Sequence, residues 1–208
     1  MKAFKLFLTM VLMVPVLISC VDIEMRFVLK RDGKGYLDLT YDVDAEATTL
    51  LDANDQRLAI PLPITRKDFE TALSGSDGVS MRRFRRSDDG EGVHILVRIA
   101  FDSVEALRSI AGFENLLVSY EADGDRGGVL SQRVIPARRS GEDPEQDIIE
   151  LLQSVASESR ISFVVVAPTK IRAADGASID SRCRTARFSR TLADFLLEQG
   201  PVDFVVRW

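Results

Sequence analysis

The residues of this chain with types suited to chemistry are few: two cysteines, one histidine and a run of four arginines. Cys20 closes the stretch Leu17-Ile18-Ser19-Cys20, in which Leu at −3, Ser at −1 and Cys at +1 fit a relaxed bacterial lipobox. In such a motif the thiol is diacylated and the cysteine becomes the new N-terminus. The residues before it suit that reading. Lys2 and Lys5 are the only charges ahead of Cys20, and Leu6 to Ile18 gives an apolar run shorter than the ~20 residues of a spanning helix. An ordinary signal peptide with an incidental cysteine and a retained signal anchor are the alternatives.

Cys183 lies between Arg182 and Arg184, which could lower a thiol pKa; the plainer reading is a small, half-buried strand residue. If Cys20 is acylated, Cys183 has no intramolecular partner and the chain carries no disulfide framework. His94 alternates with Val93 and Ile95 in "VHILVRI", pointing with Leu96 and Arg98 to a solvated face. One histidine and one available cysteine cannot build a zinc site of the common types. A Ser/His/Asp triad would need His94, and no Gly-x-Ser-x-Gly elbow is present; a Cys183–His94 dyad has no local support. There is no Gly-x-x-x-x-Gly-Lys-Ser/Thr phosphate loop. "EADGDRGG" at 121–128 lacks the alternating oxygen ligands of a calcium loop and reads as a hairpin turn. No catalytic residue, metal site or cofactor is expected, and the chain is not read as an enzyme; a hydrolase is the least favoured alternative.

The remaining cluster is "MRRFRR", with Arg82, Arg83, Arg85 and Arg86 around Phe84. Four guanidiniums about an aromatic ring could hold anionic lipid headgroups. The competing reading is a solvated edge strand whose positive charge discourages edge-to-edge pairing. The acidic "SDDGE" that follows would cancel part of the field.

The whole chain carries net charge −5, and loss of Lys2 and Lys5 with residues 1–19 makes the mature chain more acidic still. That balance argues against a nucleic-acid partner. At 46% hydrophobic, the chain has ample apolar content for a core.

Alternation sets the elements that must position these residues. Ile23, Met25, Phe27 and Leu29 form one face of "DIEMRFVLK"; Leu37, Leu39, Tyr41 and Val43 form one face of "YLDLTYDV". The "RDGKG" between them predicts a hairpin. "DDGEG" precedes a second alternating strand, "VHILVRIAF", so Asp-Gly-x-Gly at 32–35 and at 89–92 hints at a repeated topology. Thr65 with Asp68 can cap a helix ending near Gly75, and Asp102-Ser103 opens another in "VEALRSIAG". Asp143-Pro144 opens the longest predicted helix, 144–158, and Thr191 opens "LADFLLEQ". Further strands are predicted in "LLVSYEA", "GVLSQRVI", "ISFVVVA", "RCRTARFS" and "VDFVVRW". The expected fold class is α+β: one continuous, largely antiparallel sheet with amphipathic helices packed on one face. Residues 1–19 read as a lipoprotein signal peptide and 20–208 as a single α+β domain, with a subdivision near 137–145 as the variant reading.

In this order of motifs the chain resembles LppM-like lipoprotein domains, a bacterial envelope family. The matching residues are Cys20 leading directly into a strand, Asp32-Gly33-x-Gly35 before a second strand, and Phe101-Asp102-Ser103-x-Glu105-x-Leu107 at a strand-to-helix step. Phe163-x-Val165-x-x-Pro168, Asp175-Gly176 and a closing strand ending at Trp208 complete the match. The resemblance implies an envelope lipoprotein whose domain looks like lipid-binding folds, with a sheet gripping a helix over an apolar cavity. It supplies no catalytic residues. Relatives continue past the tryptophan into a linker and a transmembrane helix; this chain stops at Trp208, which leaves Cys20 as its expected membrane attachment.

The expected function is therefore a non-catalytic binding module for an envelope lipid or glycolipid, held to a membrane outside the cytoplasm by acylated Cys20. The alternative is an assembly lipoprotein that docks a protein partner.

Overall fold

The computed structural model describes residues 22–44, 63–90, 92–111, 113, 116–124, 127–134, 159–191, 193–194 and 200–208. β1 (Ile23–Leu29) and β2 (Gly35–Asp44) form the hairpin that their alternation predicts, in register from Ile23 opposite Tyr41 to Leu29 opposite Gly35. Gly33 turns the chain at φ +77°, and Asp32 accepts a hydrogen bond from the Lys34 amide at 3.2 Å. A side chain on Gly33 would also meet the Tyr120 ring at 3.0 Å, so the position needs glycine on two counts. β3 (Val79–Asp88) and β4 (Gly92–Phe101) form a second hairpin, and β4 lies against β2. Its turn repeats the chemistry of the first, with Gly90 at φ +86° and the Asp89 carboxylate accepting from the Gly92 amide. The repeated Asp-Gly-x-Gly is thus a shared turn design that brings the two following strands together.

The remaining strands divide between two sheets. β5 (Leu116–Asp123), β6 (Gly127–Val134), β8 (Ala173–Asp175) and β11 (Val202–Arg207) form a four-stranded antiparallel sheet in the order β5-β6-β11-β8. β7 (Arg160–Val166), β9 (Ser178–Ile179) and β10 (Thr185–Thr191) extend the first sheet to seven strands, β3-β4-β2-β1-β7-β10-β9. All pairings are antiparallel except β1 with β7.

The expected α+β fold class, with amphipathic helices covering one sheet, is corrected: among the described residues the chain is mostly β, in two sheets with two short helices. The physical reason is the covering of the apolar face. Phe163 on β7 packs against Phe188 on β10, and Phe188 packs against Phe204 on β11 at 5.7 Å between ring centres. The second sheet thus contributes to one continuous core with Phe27, Leu37, Tyr41, Val97, Leu130 and Val206. Each such side chain contributes about 1.5–3 kcal/mol by leaving water.

The helices that do form are local. α1 (Arg66–Leu73) has the Thr65/Asp68 capping box and buries Phe69, which meets Phe84 of β3 at 5.9 Å. The hydrogen bond from Thr65 is the main reason the Asp68 carboxyl titrates below its usual range. Val104–Ser109 is a 3-10 helix rather than an amphipathic α-helix, capped by the Ser103 hydroxyl. The predicted helix 144–158 and the 137–145 segment lie outside the described residues. Of the helix expected after Thr191, only Ala193 and Asp194 are described.

Candidate functional site

Backbone register places the arginine run relative to the start of the first strand. Ile23, Tyr41, Ile95 and Arg86 form one row across β1, β2, β4 and β3. The next row is Glu24, Thr40, Leu96 and Arg85, and two rows further come Arg26, Asp38, Arg98 and Arg83. The arginines therefore share a sheet end with Ile23, three strand spacings away, or ~14 Å. Cys20 itself lies outside the described residues. Covalent geometry alone keeps it within about 11 Å of Ile23, because only three residue steps intervene.

The structure does not gather all four guanidiniums. A bulge falls between Met81 and Arg83, so Arg82 is the extra residue and the alternation restarts after it. Arg83 and Arg85 then share the polar face with Arg98 and Leu96, while Arg86 shares the row of buried Ile95. Arg86 donates to the Ile64 carbonyl at 3.4 Å, and Arg66 lies over the Phe84 ring at 5.6 Å. Arg82, Arg83 and Arg85 are exposed, and no carboxylate among the described residues pairs with them. β3 is an edge strand, as the solvated-edge reading expects.

Elsewhere on the polar face the charges are matched. Arg98 forms a two-pronged pair with Asp38 at 2.6 and 2.7 Å and lies over the Tyr36 ring at 5.4 Å. Arg187 meets Glu24 at 2.8 Å. Arg83 and Arg85 thus differ from Arg98 and Arg187, on the same face, in having no carboxylate partner among the described residues.

His94 is on the solvated face, as expected, but it is held there. Its Nδ1 lies 2.5 Å from Asp42 and its Nε2 2.9 Å from Asp89. These two bonds, Asp42's first, push its pKa up to about 9 from 6.5. The imidazolium ties β2 to the β3–β4 turn and neutralises charge on two carboxylates. Because the folded pKa is the higher one, the clamp's stabilisation is complete below about pH 6.5 and disappears as pH rises through about 9. As His94 is the sole histidine, its ring protons can be followed without assignment. An NMR titration should give a midpoint near 9; a midpoint near 6.5 would show that neither carboxylate holds the ring.

Cys183 is not the half-buried strand residue of the sequence reading. It is exposed, in the turn before β10, at φ +53°, with its amide donating to the Asp180 carbonyl at 2.9 Å. It sits at the Val166 end of β7, because the neighbouring Arg184 carbonyl accepts from the Ala167 amide. His94 is at the opposite, Ile23 end of the sheet, so the structure does not bring a Cys183–His94 dyad together. Among the described residues, no group of three or more His, Cys, Asp or Glu is placed to hold a metal ion.

One polar residue escaped the sequence reading. Gln132 on β6 is 1% exposed, and neither its Nε2 nor its Oε1 has a hydrogen-bond partner. It faces the core between Val118 and Phe204 in register. Leaving such an amide unpaired costs about 1–3 kcal/mol. Its position in the alternation of "GVLSQRV" was the available signal, since it falls in phase with Leu130.

No family model matches the sequence, and no curated protein matches it. Among solved structures, the chain is similar to the folded domain of LppM from Mycobacterium tuberculosis, solved by NMR. The two share 11% sequence identity at a TM-score of 0.45, over 90% of this chain and 88% of that one. The likeness is structural and assigns neither membership of a family nor a site.

Proposed function

We propose that this chain is a membrane-anchored envelope lipoprotein that serves as a non-catalytic binding module for a lipid or glycolipid. The lipobox at Cys20 supports the anchor and the location outside the cytoplasm. The observation that carries the binding role is Gln132: a wholly buried amide with both heteroatoms unpaired, set among apolar side chains. A lipid hydroxyl, ester or glycosidic oxygen would satisfy that amide, and the acyl portion would suit the surrounding apolar residues.

Native mass spectrometry of the full Cys20→Ser chain, incubated with envelope extract, tests the binding role. One lipid or glycolipid mass per chain is expected. Gln132→Met should lose that adduct while becoming more stable by about 1–3 kcal/mol, because the unpaired amide is gone. A wild-type chain that stays unliganded, or a Gln132→Met chain that binds equally well, would rule this reading out. The edge position of β3 among the described strands favours the second reading, a docking site for a protein partner.

A further inference from the structure

We infer that Arg82, Arg83 and Arg85 form a second membrane contact, a site on the β3 edge for the phosphate groups of anionic lipids in the membrane that holds the anchor. The inference deepens the proposed function and rests on it, because membrane attachment at Cys20 is what places this edge near a bilayer.

Three observations converge on the site. The first is charge: these three arginines are exposed and have no carboxylate partner among the described residues, while Arg98 and Arg187, on the face of Arg83 and Arg85, each have one. The second is position: Arg85 is one row, and Arg83 three rows, from the row that contains Ile23. A chain tethered at Cys20 keeps that row within about 11 Å of the anchor, which brings this end of the sheet within reach of the lipid surface. The third is the bulge. With regular alternation Arg82 would face opposite to Arg83; the extra residue breaks the ladder at Arg82 and leaves Arg83 and Arg85 together on the polar face. The acidic residues that follow are engaged locally. Asp88 accepts from the Gly90 amide, and Asp89 is bound to His94. Guanidiniums offer paired N–H donors to phosphate oxygens, the geometry suited to a phospholipid headgroup.

The test uses the full chain carrying Cys20→Ser, which cannot be acylated, so its result does not depend on the anchor. Partition is measured into phosphatidylcholine vesicles with and without phosphatidylglycerol, at low and high salt. Any affinity of residues 1–19 for lipid is common to all samples and cancels in the comparison. In low salt, the chain should partition into anionic vesicles on the order of 100-fold more strongly than the Arg82→Gln/Arg83→Gln/Arg85→Gln variant. The difference should vanish in pure phosphatidylcholine and shrink steeply at high salt. Replacing the three by lysine should restore most of the binding. Circular dichroism checks that each variant folds.

Equal partition of the parent and triple-glutamine chains into anionic vesicles would overturn the inference. Binding of inorganic phosphate that is lost in the triple-glutamine chain, with no preference of the parent for anionic vesicles, would also overturn it, assigning the site to a soluble anion. Capture of polyglutamate without any preference for anionic vesicles would assign the edge to an acidic protein partner instead. If wild-type Cys20 takes up no acyl chain while this partition is found, the anchor fails and the arginine site stands.

Discussion

Trp208→Ala should lower the thermal midpoint by on the order of 10 °C, the largest stability loss expected of any single substitution discussed for this chain. Trp208 is 2% exposed and stacks on Tyr120 with ring centres 5.9 Å apart. Its backbone exchanges two hydrogen bonds with Gly128, at 3.0 and 3.1 Å, which hold the end of β11 against β6. Gly128 has no room for a side chain, since a Cβ there would lie 2.7 Å from both rings. The surroundings are therefore fitted to the indole and cannot readily collapse into the space it leaves. Truncating a buried aromatic in such a setting costs about 3–5 kcal/mol. That is a large share of the roughly 5–15 kcal/mol that holds a typical domain folded. Tyr120 also lies against Gly33, in the turn of the first hairpin, so the loss loosens the join between the two sheets. Thermal unfolding followed by circular dichroism reads the effect. A midpoint within about 2 °C of wild type would show that the tryptophan does not belong to the core.

What the sequence made legible was local. Alternation in "DIEMRFVLK" and "YLDLTYDV" identified both faces of the first hairpin, and Thr65 with Asp68 announced a helix start that the structure keeps. The second sheet was not legible, because a period of two says which face is apolar and nothing about what covers it. Phe188 and Phe204 each announce an apolar face; only the fold shows that they cover one another. "VEALRSIAG" carries helical spacing, yet the chain there forms only a 3-10 segment over Val104–Ser109. At the candidate site, four arginines around Phe84 looked like one cluster. The bulge at Arg82, which nothing in the composition marks, separates Arg86 from the others. The clamp on His94 was hidden for a related reason. Asp42 and Asp89 reach it through the register of β2 on β4 and through a turn, and both are long-range outcomes of folding. Gln132 was hidden because the alternation of "GVLSQRV" offers two faces, and nothing local says which of them the second sheet buries.

Cys20→Ser is expected to have the largest functional effect, since it acts on attachment as a whole. A diacyl thioether adds two chains, each CH₂ contributing about 0.8 kcal/mol when buried, and two chains suffice for stable anchoring where one does not. Asp22 and Ile23 follow within three residues: the Asp22 carboxylate accepts from the Arg160 amide at 2.7 Å, and Ile23 begins a strand paired on both sides by β2 and β7. On the proposed reading only three residue steps separate Cys20 from β1, so the row from Ile23 to Arg86 would be the part of the sheet nearest the bilayer. The turn at Gly33 closes the far end of β1, about 20 Å away at ~3.3 Å per residue. The measurement that bears most directly on this account is metabolic labelling with a radioactive fatty acid, followed by membrane fractionation of wild type and Cys20→Ser. Label is expected on wild type in the membrane fraction, with an unlabelled Cys20→Ser chain that salt washing releases from membranes. A Cys20→Ser chain that stays membrane-bound through high salt, or a wild type that takes up no label, would contradict it.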